Sequence, residues 1–221
     1  MTYLSTRCLA ALLLLAPLAA HGQAGAPPAK PDTAHHHMAG MGDMASMPGM
    51  AGMSAMSMPV TIPKGALYTE ADVRFMQGMI AHHAQAIYMS RLAEGRNASP
   101  RVLKFANKID QSQQAEIHLM QDWLVANRQM APDTGSWRTM TMPGMLTPAQ
   151  LATLDGAKGV EFDRQFLNLM IQHHTGALQM VADLFATPLA AQDVDVSVFA
   201  NDVEVVQTAE IQLMQQMLAN L

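Results

Sequence analysis

The sequence predicts an all-α fold: a four-helix bundle built from a duplicated helical hairpin, preceded by a disordered methionine-rich tail. Three observations predict it. Apolar residues recur at helical spacing from residue 68 to the C-terminus. A long stretch of that region repeats itself further along the chain. Residues 23–67 show neither a 3.6 nor a 2 periodicity and are rich in Gly, Ala, Pro, Ser and Met.

Residues 1–22 read as a secretory signal. Arg7 gives the positive start, Cys8 to Ala20 the apolar run, and Ala19, Ala20 and Gly22 a small-residue cleavage zone near residues 20–23. The apolar run is shorter than the ~20 residues a membrane span needs. Cleavage would remove Cys8, the chain's one cysteine, leaving a thiol-free protein suited to an oxidising periplasmic or extracellular setting. Residues 23–67 cannot bury enough apolar surface to offset their ordering entropy, so they are expected to be disordered.

The bundle domain is expected over residues 68–221. Thr69 with Asp72 resembles a capping box, and Phe75, Met79, Ala86 and Met89 follow at helical spacing. That helix should stop near Gly95–Asn97. Ser99-Pro100 opens a second helix, with Val102, Ala106, Ile109, Ile117, Met120 and Leu124 as its buried stripe. Residues 129–146 contain Pro132, Gly135, Pro143 and Gly144 and read as a loop. Thr147-Pro148-Ala149-Gln150 caps a short helix ending near Asp155, and a long one follows from about Val160 to Phe185. Thr187-Pro188 breaks it. The last helix spans about Asp193 to Asn220, with Phe199, Val203, Val206, Met214 and Leu218 on its stripe.

The halves repeat. Asp72-x-x-Phe75-x-x-x-Met79-Ile80-x-His82-His83-x-x-Ala86 matches Asp163-x-x-Phe166-x-x-x-Met170-Ile171-x-His173-His174-x-x-Ala177 at an offset of 91, and Met89 falls on Met180. Ala115-Glu116-Ile117-x-Leu119-Met120 matches Ala209-Glu210-Ile211-x-Leu213-Met214 at an offset of 94. Two such hairpins close into a four-helix bundle.

Composition points to metal chemistry. The chain has 21 methionines among 221 residues, eight of them from Met38 to Met58, and spacers are not normally built from an oxidisable residue. Met38, Met41, Met44, Met47, Met50, Met53 and Met56 recur every third residue, so an extended polyproline-type helix would align their sulfurs on one edge. His35, His36 and His37 add nitrogen donors at the start of that run. In the bundle, Met79, His82, His83 and Met89, with Met170, His173, His174 and Met180, border its interior. Thioether favours Cu(I) or Ag(I), and imidazole also accepts Cu(II). Glu116 and Glu210, four residues before Met120 and Met214, are placed to brace imidazole N–H groups. The expected cofactor is therefore copper, Cu(I) ahead of Cu(II). Met47-Pro48-Gly49-Met50 recurs as Met142-Pro143-Gly144-Met145 in the loop, with Met140 nearby.

The doubled Met-Ile-x-His-His motifs, the Phe162-Asp163-x-x-Phe166-Leu167 run and the Glu-Ile-x-x-Met ends resemble the bacterial family called domain of unknown function 305, over residues 68–221. That resemblance implies a ferritin-like four-helix bundle. It makes His82, His83, His173, His174, Met79 and Met170 ligand candidates, because one cyanobacterial member is an exported copper-binding protein linked to copper tolerance. The methionine tract lies outside the family motif.

A formal charge of −5 disfavours nucleic acid, and no basic amphipathic stretch suggests a membrane surface. No phosphate-binding glycine loop or nucleophile–base pair is present. The expected protein is a non-enzymatic copper or silver chaperone or buffer, whose partners are metal ions and other exported copper-handling proteins. Two alternatives stand beside it. A ferritin-like di-iron oxidase requires Glu three residues before each histidine, where Met79, Ile80, Met170 and Ile171 stand. A structural or interaction domain would use the histidines only for packing.

Overall fold

The structure, a computed structural model, describes residues 58–221. The expected signal and most of the tail, including His35, His36, His37, Met38, Met41, Met44, Met47 and Met50, lie outside the described residues. Five α-helices follow: α1 (Glu70–Gly95), α2 (Pro100–Ala126), α3 (Pro148–Gly156), α4 (Gly159–Ala186) and α5 (Val194–Leu218), with a single 3-10 turn at Ser136–Arg138. There is no strand among the described residues.

Local chemistry sets the helix ends. The Asp72 carboxylate accepts from the Thr69 backbone N–H (2.7 Å) and hydroxyl (2.8 Å) to start α1. Ser99 accepts from the Val102 N–H to start α2, and Gln150 and Thr147 cap α3 reciprocally. Asp193 caps α5 through the N–H groups of Asp195 and Val196.

Helix α1 packs on α2, α4 packs on α5, and the two hairpins join where α1 lies against α4. The duplicated aspartates clasp this junction. Asp72 also accepts from the Ala191 N–H in the α4–α5 turn (2.6 Å), while Asp163 accepts from the Ser99 N–H in the α1–α2 turn (3.1 Å). Each hairpin thus pins the turn of the other, and burial of both carboxylates excludes water from the contact.

The expected stripes on α1 and α2 are buried. On α5 one expectation is corrected: Val206 is 39% exposed, while Gln207 and Glu210 are buried. The inward arc of α5 is centred between Val203 and Gln207 and leaves Val206 at its edge. Met58–Tyr68 packs on the bundle rather than standing off it: Arg74 donates to the Met58 carbonyl (2.8 Å), Gln129 to the Thr61 carbonyl (2.8 Å), and Tyr68 meets Trp123 edge-on. No described helix is long and apolar enough to cross a membrane.

The two inner helices are covered differently. Helix α1 is buried on nearly all sides from Phe75 to Ile87, whereas α4 leaves Asn168, Gln172, Thr175 and Gln179 exposed. The cause is the inter-hairpin segment, residues 140–146, which straps over the α1 face formed by Gly78, Ala81, His82 and Gln85. Met140 packs on Ala81, and the Gln85 amide both donates to the Leu146 carbonyl (3.1 Å) and accepts from its N–H (2.7 Å). Gly144, at φ +78°, abuts the backbone of Gly176 on α4, so neither position has room for a side chain.

Candidate metal centre

The histidine pairs of the two halves meet in the middle of the bundle. The His82 and His173 rings lie 3.8 Å apart, centroid to centroid, tilted by 39°, and His173 and His174 by 6.3 Å. All four imidazoles are fully buried.

Three of the rings have one nitrogen committed. His82 Nε2 faces the Pro143 carbonyl at 3.0 Å, His83 Nε2 a Glu116 carboxylate oxygen at 2.6 Å, and His174 Nε2 a Glu210 carboxylate oxygen at 2.9 Å. Each partner can only accept, so in each case Nε2 carries the proton and donates. In the neutral ring Nδ1 then presents a lone pair. The Nδ1 atoms of His82, His83 and His174 have no hydrogen-bond partner, and neither nitrogen of His173 has one at good geometry, although the His82 backbone is close by. Each unsatisfied buried polar atom costs about 1–3 kcal/mol. Five on four clustered rings is an expenditure that a purely structural core would avoid.

The stacked pair, His82 and His173, is held neutral. Burial, helped by neighbouring His83 and opposed by the Pro143 hydrogen bond, pushes the His82 pKa from 6.5 down to about 3. Burial and the adjacent His82 push His173 well below the ordinary range. Burial would raise Glu210, but the hydrogen bond from His174 and the Lys108 ammonium (3.1 Å) hold it below the usual carboxylate range. Neutral imidazole is the ligand form, so a metal would displace no proton from His82 or His173 near neutral pH.

The remaining sequence candidates are distributed around this centre. Met79, Met89 and Met170 are fully buried in the apolar clusters that flank it, and Met180 is half-buried. Glu116 and Glu210 touch imidazole nitrogens rather than a shared point. Among the described residues no group of three or more His, Cys, Asp or Glu side chains converges on one metal-sized position. An ion here would take few nitrogen ligands and complete its shell with thioether, a low-coordinate arrangement suited to a soft ion rather than to iron.

Two features escaped the sequence reading. Gln113 and Gln207, buried and each with an unpartnered Oε1, sit three residues before Glu116 and Glu210 and obey the same offset of 94; extending the repeat by two residues would have found them. The other is the strap, whose Pro143 carbonyl fixes the His82 tautomer. Its only sequence signal was the Met-Pro-Gly-Met recurrence.

A family model described as "Domain of unknown function (DUF305)" matches residues 72–218. The chain is similar to several solved structures. A Streptomyces coelicolor DUF305 protein, assigned as secreted, shares 29% identity at TM-score 0.61, over 68% of this chain and 93% of that one. A Deinococcus radiodurans DUF305 fragment shares 32% identity at TM-score 0.59, over 70% and 99%. CopM in its Cu(I)-bound form shares 28% identity at TM-score 0.54, over 67% and 96%, and CopM has also been solved with Ag and with Cu(II) bound. No curated protein matches the chain.

Proposed function

The chain belongs to the DUF305 family, and we propose that it is an exported copper- and silver-binding protein that buffers or carries these ions without catalysing a reaction on them. The observation that carries this reading is the cluster of four buried imidazoles whose Nδ1 atoms have no partner, three of them oriented by an acceptor on Nε2. Orientation of the ring by a partner on the far nitrogen is how metal-ligating histidines are prepared. The fully buried Met79 and Met170, three residues before His82 and His173 on the same helices, place thioether beside that cluster. Support comes from CopM, a relative of the same fold whose structures hold Cu(I), Cu(II) and Ag.

Of the chain's histidines and methionines, His82, His83, His173 and His174 with Met79 and Met170 would hold the ion, and Glu116 and Glu210 would orient the rings. The methionine tract from Met38 to Met56 would add capture capacity. With Cys8 expected to leave with the signal, thioether is the soft donor at hand, and it favours Cu(I) over Cu(II). The test is a Cu(I) titration against a competing chelator, comparing the full chain with one starting at Met58. A tight site that persists in the shorter chain and disappears on replacing all four histidines with Ala is the expected result. Unchanged copper uptake in the four-histidine variant would leave the cluster a packing device.

A further inference from the structure

The strap brings a second set of soft donors next to the imidazoles. We propose that Met142 and Met180 form a separate thioether site for Cu(I) or Ag(I), seated over Gly78 at the half-buried edge of the bundle. This rests on the reading of the bundle as a carrier of such ions and adds a second position to it.

The two side chains converge on one bare patch of α1. A Cβ placed on Gly78 would lie 3.4 Å from Met180 Cε and 3.9 Å from both Cγ and Sδ of Met142. Both side chains thus come within ordinary van der Waals reach of the same point on α1. Both methionines are half-buried, whereas Met79, Met89 and Met170 are sealed in the core. Met142 is held from both sides: before it Met140 packs on Ala81, and after it Pro143 is tied to His82, Leu146 to Gln85, and Gly144 is seated on Gly176. A ligand on a segment pinned this closely is pre-organised.

The duplication supplies an internal control. The equivalents of Gly78 and Met180 in the opposite half are Leu169 and Met89, by the same offset of 91. There the methionine packs in the apolar cluster with Leu169, and the strap contributes no methionine to it. Bundle packing therefore needs neither a glycine at this point nor a methionine reaching in from the loop.

Thioether sulfur is neutral and does not bind protons, so two of them can hold a monovalent soft ion without a compensating carboxylate and at low coordination number. His82 stands one helical turn from Gly78 and against His173. An ion on the methionine pair would be adjacent to the buried imidazoles while still reachable from solvent.

The experiment is an Ag(I) titration of the full chain carrying carbon-13 methionine methyl groups, with the Met142 and Met180 resonances assigned from Met142→Leu and Met180→Leu. Leucine nearly conserves volume, so both variants should fold, which a thermal melt verifies. The two resonances should shift together and saturate together. Each variant should abolish the shift of the other methionine while the buried imidazole signals still respond. If imidazole or other methionine signals move and these two do not, or if each moves independently in the other's variant, the thioether site is overturned and the copper reading stands. If no histidine or methionine signal responds, both fall.

Discussion

The two halves of the duplication share a motif but give its histidines different surroundings. In the second hairpin, His174 is bonded to Glu210, which is buried and also held by Lys108 of α2. In the first, His83 is bonded to Glu116, whose side chain is 28% exposed. The position equivalent to Lys108 is Asp202, and Glu116, Asp122, Asp193, Asp195 and Asp202 together line a groove between α2 and α5. One carboxylate is thus neutralised and enclosed, the other set in an acidic, open wall. On the inner helices the asymmetry runs the other way: His82 is covered and its tautomer set by the strap, while both nitrogens of His173 lack a hydrogen-bond partner. Duplication preserved the histidine–glutamate pairs, and divergence of the surrounding residues separated an enclosed carboxylate from one set in an open, acidic groove.

The strap's two anchors, at equivalent positions of the two halves, give the largest losses. Gly176→Ala would drive a Cβ into the Pro143 carbonyl, where only backbone can yield. We expect a loss of about 3 kcal/mol in urea unfolding. Gln85→Ala, at the equivalent position, removes two hydrogen bonds and should cost roughly 2 kcal/mol. A negligible loss in both variants would mean that the strap is not seated as described.

Acid should expose what the halves have in common. The folded-state pKa of His82 is near 3 against 6.5 in the unfolded chain, so below pH 6.5 the unfolded state binds a proton that the folded state refuses. Stability is present above that value and falls as pH drops through the window. His82 alone accounts for roughly 2 kcal/mol by pH 5, and His173 acts in the same direction. Urea midpoints of the metal-free protein at pH 7 and pH 5 measure this, and a flat profile would show that the rings are not buried and neutral.

The carboxylates should separate at smaller absolute cost. Glu210→Ala strands a buried imidazole and removes the partner of Lys108, for about 2 kcal/mol, whereas Glu116→Ala should cost about 1 kcal/mol because water reaches that site. Chemical denaturation of both variants decides it, and the reverse order would refute the enclosed-versus-open distinction. The smallest effect is expected from Asp202→Lys, which copies the Lys108 arrangement onto the open half. A gain of about 0.5 kcal/mol at low salt, lost at high salt, is the expected outcome; a gain that persists in high salt would point to packing instead.

The amino-acid sequence determined the helices, their order and their pairing, because capping residues and apolar spacing act within a few turns and survive any tertiary arrangement. The same locality made the doubled Met-Ile-x-His-His motif and its glutamates legible as a set. Which residues they meet was decided only by tertiary structure. Asp72 read as a helix start and Asp163 as its counterpart in the repeat, and both turn out to clasp the opposite hairpin; Val206 read as core and lies at the edge of the α5 interface. The stacking of His82 on His173, and the seating of Pro143 and Met142 on α1, join residues more than fifty positions apart. Such contacts depend on how two hairpins and the strap pack together, and no periodicity along the chain encodes that geometry.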